Sequence, residues 1–114
     1  MSNPFVITDQ LVDDTLCTAL EGGITYWAAS ATPDKWPEGC EYASDALTKG
    51  AAVVIVESEE DATHVLTLAK MKKGIRAYCK AAHTTPAELE DDPVDAGGAD
   101  AIVQYALFGE VVYA

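Results

Sequence analysis

The sequence predicts an α+β fold, a small and mainly antiparallel sheet of three to five strands with about three helices packed on one face. Three observations support it. An unbroken apolar run, "AAVVIVES" at 51–58, is typical of a central strand. The turn-like "EEDA" follows, and "THVLT" at 63–67 returns as a hairpin partner. The stretch 68–82 then has apolar residues at helical spacing. At 114 residues the chain is expected to form a single domain, 1–114.

The first third of the chain alternates short strands with one helix. "PFVI" at 4–7 is short and apolar and predicts a small edge strand. Thr8 or Asp9 can cap a helix, because a side-chain oxygen there accepts an orphan backbone N–H. The glycine pair 22–23 is expected to end that helix. "ITYWAAS" at 24–30 is rich in β-branched and aromatic residues and predicts a strand.

The middle third leads into the central strand. Two prolines and a glycine make 31–42 a loop, which carries Trp36. "YASDALTKG" at 42–50 predicts one or two helical turns closed by Gly50. Because the run at 51–58 is apolar throughout, we expect it to be central and covered on both faces.

The last third is mainly helical. The helix 68–82 contains Gly74, which costs about 1 kcal/mol relative to alanine and therefore indicates a close backbone approach. Residues 83–98 are acidic and turn-rich, and predict a mobile connection with one helical turn. "ADAIVQYALF" at 99–108 predicts a final helix, and "EVVYA" at 110–114 a short closing strand.

Charge is the most informative feature of the composition. Nineteen acidic and seven basic residues give a net charge of −12. Such a chain should repel nucleic acid and anionic membranes and attract a protein with a cationic surface. The charges are segregated, because five bases fall within 70–80 while two acidic runs occupy 57–61 and 88–92. The sequence therefore predicts an acidic body with one basic helix.

The cysteines and histidines do not form a recognisable metal or catalytic motif. Cys17, Cys40 and Cys79 are widely spaced, so free thiols are expected rather than disulfides. Cys79 and His83 lie four residues apart, but no spacing supplies two further zinc ligands. Cys79 is better explained as a small core residue. We expect no metal, no cofactor and no enzymatic activity.

The location of the protein is also predicted from absences in the sequence. No apolar run approaches the ~20 residues that span a bilayer. "MSNPFVITDQ" lacks the basic region and apolar block of a secretion signal. A cytoplasmic protein is therefore expected.

Three aromatic residues are candidates for a contact surface. Tyr26 and Trp27 are adjacent, so on a strand they would point to opposite faces, and one could be core while the other is exposed. Trp36 follows in the loop. Rings with a polar atom favour interfaces that are wet on one side. Core packing and a contact surface both remain open for these residues.

The basic helix also has two interpretations. Lys72, Lys73 and Arg76 are expected on the side away from Met71 and Ile75. They form either a solvated face, neutralised by the acidic runs, or a contact for an anion such as a nucleotide phosphate. The sequence leaves both interpretations open.

Three segments resemble a group of small, poorly characterised bacteriophage and mobile-element proteins. These are "VDDTLCTALEGGITYWA", "LTLAKMKKGI" and "ADAIVQYALFGEVVYA", which together cover most of the chain. The resemblance implies a dispensable role in interaction with the host. It also implies a contact site at Glu21, Gly22, Gly23, Tyr26 and Trp27, followed by Asp100, Gln104 and Tyr105 on the last helix.

The predicted function combines the charge with this resemblance. We expect a non-catalytic phage or prophage protein that blocks a host-defence component, of anti-CRISPR or anti-restriction type, in the host cytoplasm. Its acidic surface would dock on a cationic, nucleic-acid-binding groove, with Tyr26, Trp27 or Trp36 as anchors. One alternative is a protein that sequesters a nucleotide signal, with these rings stacking on the base. Another is a virion structural or assembly protein, and a homodimer stays open.

Overall fold

The chain forms an antiparallel three-stranded sheet with helices packed on one face, in a computed structural model that describes residues 3–114. The predicted α+β fold is confirmed. The strands lie in the order β1-β2-β3. The elements are α1 (Asp9–Thr18), β1 (Ala28–Pro33), β2 (Val53–Glu57), β3 (Thr63–Leu66), α2 (Leu68–Ala82), α3 (Pro86–Asp91) and α4 (Ala96–Phe108).

The first helix begins and ends close to the predicted residues. The Thr8 hydroxyl accepts a hydrogen bond from the backbone N–H of Leu11 at 3.2 Å, which confirms Thr8 as the N-cap. After α1 the chain widens into one π-helical turn, Ala19–Gly23. Gly23 abuts α4 so closely that a Cβ there would lie 2.8 Å from the carbonyl oxygen of Ala96. Gly23 is therefore required by packing, whereas neither Gly22 nor Gly23 adopts the positive φ of a glycine helix end.

The sheet is covered by helices on one face. Val53, Ile55 and Leu66 point to the helices and are fully buried. Val54 and Val56 of the central strand point the other way and are only half-buried. The prediction of a central strand is confirmed, but the expectation that both of its faces are covered is wrong. No helix in the described chain packs on the outer face, which explains the alternating burial along β2.

The longest helix, α2, packs on α4 at the glycine that the sequence singled out. A Cβ on Gly74 would lie 2.5 Å from the carbonyl oxygen of Ile102 and 2.8 Å from the Cβ of Ala106. The expected close backbone approach is confirmed. Met71 and Ile75 are fully buried on the same face of α2.

Two predicted strands are absent and one begins late. Residues 4–7 and 110–114 are not strands, and residues 24–27 form a turn before β1 begins at Ala28. The segment 110–114 is instead held by a side chain. The amide oxygen Oε1 of the Gln104 side chain accepts hydrogen bonds from the backbone N–H groups of Val112 and Tyr113. Most of the apolar residues of 4–7 and 110–114 are also exposed, among them Phe5 at 67% and Val112 at 56%, so the short apolar segments predicted neither a strand nor burial.

The two turn-rich segments contain the expected local helices. Residues 42–50 form two 3₁₀ turns closed by Gly50, whose φ of 95° is readily adopted by glycine. The connection 83–98 contains α3, and α4 begins at Ala96 rather than at residue 99. The N–H of Ala87 also donates to the carbonyl oxygen of Pro4 at 3.1 Å. The mobility of this connection stays a prediction.

None of the helices within residues 3–114 is both long enough and apolar enough to cross a bilayer.

Candidate partner-binding site

A buried carboxylate on α4 holds the two aromatic residues that the sequence singled out. Asp100 is 8% exposed and accepts three hydrogen bonds. The Trp27 indole N–H donates to Oδ1 at 2.8 Å, the Gln104 amide donates to Oδ1 at 2.9 Å, and the Tyr26 hydroxyl donates to Oδ2 at 2.6 Å. A buried carboxylate is costly unless it is hydrogen-bonded, so these donors and Asp100 stabilise one another.

Gln104 extends the same network to the C-terminal segment. Its side chain is fully buried one helical turn after Asp100. Besides accepting from two backbone N–H groups, it donates to the carbonyl oxygen of Tyr113 at 3.1 Å. One amide side chain therefore takes the place of a neighbouring strand and fixes Tyr113 beside Trp27.

Trp27 belongs to the core, whereas Tyr26 lies at the surface. The Trp27 side chain is 4% exposed and Tyr26 is 52% exposed. The Trp27 ring stacks on Tyr113 with ring centres 5.2 Å apart and planes inclined by 7°, and Phe108 lies at 5.8 Å. As expected, one of the two adjacent rings is buried and the other exposed. The two residues lie in a turn, however, and not on a strand as predicted.

The acidic end of the central strand lies against this aromatic cluster. Ala28 pairs with Glu57, and the N–H of Ser58 donates to the carbonyl oxygen of Trp27 at 2.9 Å. Glu57 is 6% exposed, and its carboxylate lies 2.7 Å from the Nε2 atom of His64. The pairing of β1 with β2 therefore brings the acidic run 57–61 to the Tyr26–Trp27 turn.

The turn and the acidic run together enclose a cavity of about 210 Å³, which we call the acidic aromatic pocket. Glu59 and Glu60 are exposed at its side, and Tyr26 presents a half-exposed ring. Carboxylates beside an aromatic ring attract a cation, through charge and through the negative face of the ring. The pocket is lined by Tyr26, Trp27, Glu57, Ser58, Glu59, Glu60, Tyr113 and Ala114.

The other residues of the predicted contact site lie apart from this pocket. Glu21 and Gly22 are exposed on the π-helical turn, and Gly23 is buried against α4. Trp36 is 56% exposed in the loop after β1 and does not line the pocket. Tyr105 is half-buried on α4. Of the predicted aromatic anchors, the structure places Tyr26 and Trp27 at the acidic aromatic pocket.

A second acidic concavity, of about 750 Å³, lies between α1 and the 3₁₀ turns. Its carboxylates are Asp13, Asp14, Glu21 and Asp45, beside the exposed ring of Tyr42. Burial, together with the charge of Asp45, raises the pKa of Asp13. Since Glu21 lines this concavity and Tyr26 lines the acidic aromatic pocket, the turn between them contributes to both acidic surfaces.

The basic residues of α2 lie away from the acidic aromatic pocket and carry unpaired charges. Lys73 and Arg76 are exposed, Lys72 is half-buried, and none of them lines that pocket. Within residues 3–114, the only ion pair closer than 4.0 Å is that of Glu57 and His64. The acidic runs therefore do not neutralise the basic helix through direct ion pairs.

The thiols are free in the described chain. Cys79 is buried, as expected of a core residue, and Cys17 and Cys40 are half-buried. Burial raises the pKa of the Cys79 thiol, and the charge of Glu88 adds to that effect. No group of three or more His, Cys, Asp or Glu side chains between residues 3 and 114 is placed to hold a metal ion.

Glu57 and Tyr113 contribute to the site, although the sequence assigned neither of them a role, whereas Asp100 and Gln104 were expected as surface contacts and are instead buried. Asp100 and Gln104 stand four apart in "ADAIVQYALF", on a helix face that is otherwise apolar. Glu57 shares the inward face of β2 with Val53 and Ile55 by the two-residue period. Tyr113 carried no signal, because its position depends on Gln104.

Tyr26, which lines the pocket, should make the free energy of unfolding depend on pH in the alkaline range. Burial of the Tyr26 hydroxyl raises its pKa from 10.0 to about 12, and the hydrogen bond to Asp100 and its charge add to the shift. The folded state therefore binds this proton more tightly than the unfolded state. The resulting stabilisation is complete below about pH 10 and is lost as the pH rises towards about 12. Between about pH 10 and about pH 12, the free energy of unfolding, measured by urea denaturation, should fall less for Tyr26→Phe than for the wild type. Identical pH dependence of both proteins would contradict this assignment.

Comparisons of the chain with protein-family models, with curated proteins and with solved structures find no match.

Proposed function

We propose that this protein is a non-catalytic binding protein whose acidic aromatic pocket receives a basic side chain of a partner protein. The observation that carries the proposal is the convergence of Tyr26 and the run Glu57–Glu60 on one pocket. These two features are about thirty residues apart in the sequence and meet through the pairing of β1 with β2.

The geometry favours a lysine or arginine side chain as the occupant. Its charged head would meet the exposed carboxylates of Glu59 and Glu60, while its aliphatic stem lies on the Tyr26 ring. Asp100, which also accepts from the Trp27 indole, holds the Tyr26 hydroxyl in place, so little conformational freedom is lost on binding. The pocket is large enough for one such side chain.

The rest of the molecule supports association with a cationic surface. The net charge of −12 steers a basic partner towards the protein and disfavours acidic partners. The concavity at Asp13, Asp14 and Asp45 extends the acidic surface beyond the pocket. Steering of this kind accelerates association more than it raises affinity, so the pocket supplies the specific contact.

The particular form of this proposal is a phage or prophage protein that blocks a host-defence component in the host cytoplasm. Proteins that bind nucleic acid carry lysine- and arginine-rich grooves, which an acidic protein can occupy in place of the nucleic acid. This form of the proposal, of anti-CRISPR or anti-restriction type, rests on the charge and on the resemblance to mobile-element proteins.

The first test measures the affinity of the protein for an arginine-rich peptide as salt is raised. Because salt screens exposed charges beyond about 10 Å at 0.1 M, affinity should fall by roughly tenfold or more between about 50 and about 500 mM NaCl. The matched control is the same peptide with citrulline, a neutral isostere, in place of arginine, which should bind weakly at every salt concentration. Equal binding of both peptides, or an affinity independent of salt, would refute the proposal.

A further inference from the structure

A third concavity, a cleft separate from the two acidic ones, lies on the basic side of the molecule, between the N-terminal segment and the second half of α2. Its volume is about 290 Å³. Cys79 and Pro86 are buried beneath it, and the Phe5 ring stands at its side with 67% of its surface exposed. The cleft is lined by Phe5, Arg76, Cys79, Lys80, Thr84 and Pro86. It therefore combines an apolar floor and an open aromatic ring with two cations.

The two cations of the cleft belong to a longer row, which we call the basic stripe. Lys72, Arg76 and Lys80 recur every four residues on α2, so their Cα atoms are spaced by about 6 Å along one side of the helix. Lys73 lies beside them on the same side. None of these charges has a carboxylate within 4.0 Å among residues 3–114.

The ligand of such a site must overcome the repulsion of the whole protein. A net charge of −12 repels every anion, and more strongly the more charge it carries, so a ligand is held only if it makes several close contacts with the basic residues at once. A ligand that carries both several phosphates and a flat ring could contact the basic stripe with its phosphates and the Phe5 ring of the cleft with its own ring. A nucleic acid strand fits less well, because its further phosphates would lie against the acidic body.

We propose that this cleft and the basic stripe bind a nucleotide that carries several phosphate groups. The base lies against the Phe5 ring, and the phosphates contact Lys80, Arg76 and then Lys72. The site is separate from the acidic aromatic pocket and takes a ligand of opposite charge. The nucleotide-binding alternative predicted from the sequence stacked the base on Tyr26, Trp27 or Trp36, whereas here the base lies on Phe5.

The test is calorimetric titration of the full chain, without Mg²⁺, with four probes: a nucleoside triphosphate, the matching nucleoside, inorganic tripolyphosphate and a short oligonucleotide. We expect the triphosphate to bind with the highest affinity, tripolyphosphate about tenfold more weakly, and the nucleoside not measurably. Absence of triphosphate binding, equal binding of tripolyphosphate, or tighter binding of the oligonucleotide would each overturn the proposal.

Matched variants separate the cleft from a general effect of charge. Lys80→Glu should weaken triphosphate binding by about tenfold or more, whereas Lys35→Glu, an equal charge change on an exposed loop residue, should weaken it by less than about threefold. Phe5→Ala removes an exposed ring, so the fold should be retained, as circular dichroism will show. It should weaken the triphosphate but not tripolyphosphate. Equal effects of the two charge variants, or no effect of Phe5→Ala, would refute the assignment.

A carboxylate on α3, outside the lining of the cleft, offers a variant that should tighten binding instead of weakening it. The charge of Glu88 acts on Cys79 in the cleft, and the Glu88 carboxylate accepts a hydrogen bond from the Thr85 hydroxyl at 3.3 Å. Glu88→Gln removes the charge and can keep the hydrogen bond. We expect it to tighten triphosphate binding by about threefold, and weaker binding would contradict the placement of the phosphates.

Discussion

Trp27→Ala is expected to lower the free energy of unfolding by about 3–5 kcal/mol, the range for removing a large buried aromatic side chain. The indole is 4% exposed, stacks on Tyr113 and donates to Asp100. Its removal leaves a cavity and deprives a buried carboxylate of one donor. The matched variant Trp36→Ala removes the same side chain from an exposed position, at 56%, and should change stability by less than about 0.5 kcal/mol.

Urea denaturation followed by far-UV circular dichroism measures both variants, and Trp27→Phe separates the two contributions. Phenylalanine keeps most of the apolar contact but lacks the indole donor, so its cost should be about 1–3 kcal/mol. Equal costs at positions 27 and 36 would show that Trp27 is not the core residue that the structure makes it.

The double variant Glu59→Lys/Glu60→Lys is expected to weaken binding of the arginine-rich peptide by roughly a hundredfold, or about 2.7 kcal/mol. Both carboxylates are exposed at the acidic aromatic pocket and neither forms an ion pair within residues 3–114. Their replacement should therefore leave the stability of the fold nearly unchanged. It places two positive charges where the proposal puts the guanidinium group.

The control for this prediction is Glu38→Lys/Glu41→Lys, in the exposed loop before the 3₁₀ turns. Both double variants change the net charge by the same amount, so they alter long-range steering similarly. We expect the control to weaken binding by only about threefold, because exposed charges away from the contact are screened. If both variants weaken binding equally, the pocket is not the site of contact and the total charge alone attracts the peptide.

The sequence predicted those elements whose signal is local and strong. The apolar run of β2, the hairpin to β3 and the periodic face of α2 were all placed correctly, because each contains its own periodicity and its own turn or cap. Gly74 is the clearest case. A glycine inside a good helix predicted the close packing that Ile102 and Ala106 of α4 provide.

The predictions failed where a segment depends on a partner distant in the sequence. The apolar residues of 110–114 looked like a strand, but their N–H groups are bound by the buried amide of Gln104. The half-exposed valines of β2 have the same composition as buried ones, so the run could not show that only one face is covered. In such segments both the burial of a side chain and the pairing of backbone groups depend on the tertiary structure and not on composition alone.

The candidate site was predicted in parts and assembled only by the fold. The sequence singled out both Tyr26–Trp27 and the acidic run 57–61, yet nothing local indicated that they meet. Their contact depends on the register that pairs Ala28 with Glu57. The carboxylate of Asp100, which orients Tyr26, comes from a helix more than seventy residues further along the chain.

The most direct test of the central claim is a ¹H–¹⁵N NMR titration of the protein with the arginine-rich peptide. The acidic aromatic pocket predicts that the largest shifts occur at the backbone signals of Tyr26 and Glu57–Glu60 and at the indole N–H of Trp27. The indole N–H of Trp36 and the basic stripe on α2 should change little. If the peptide binds while the largest shifts lie outside the pocket, the account of partner recognition is contradicted.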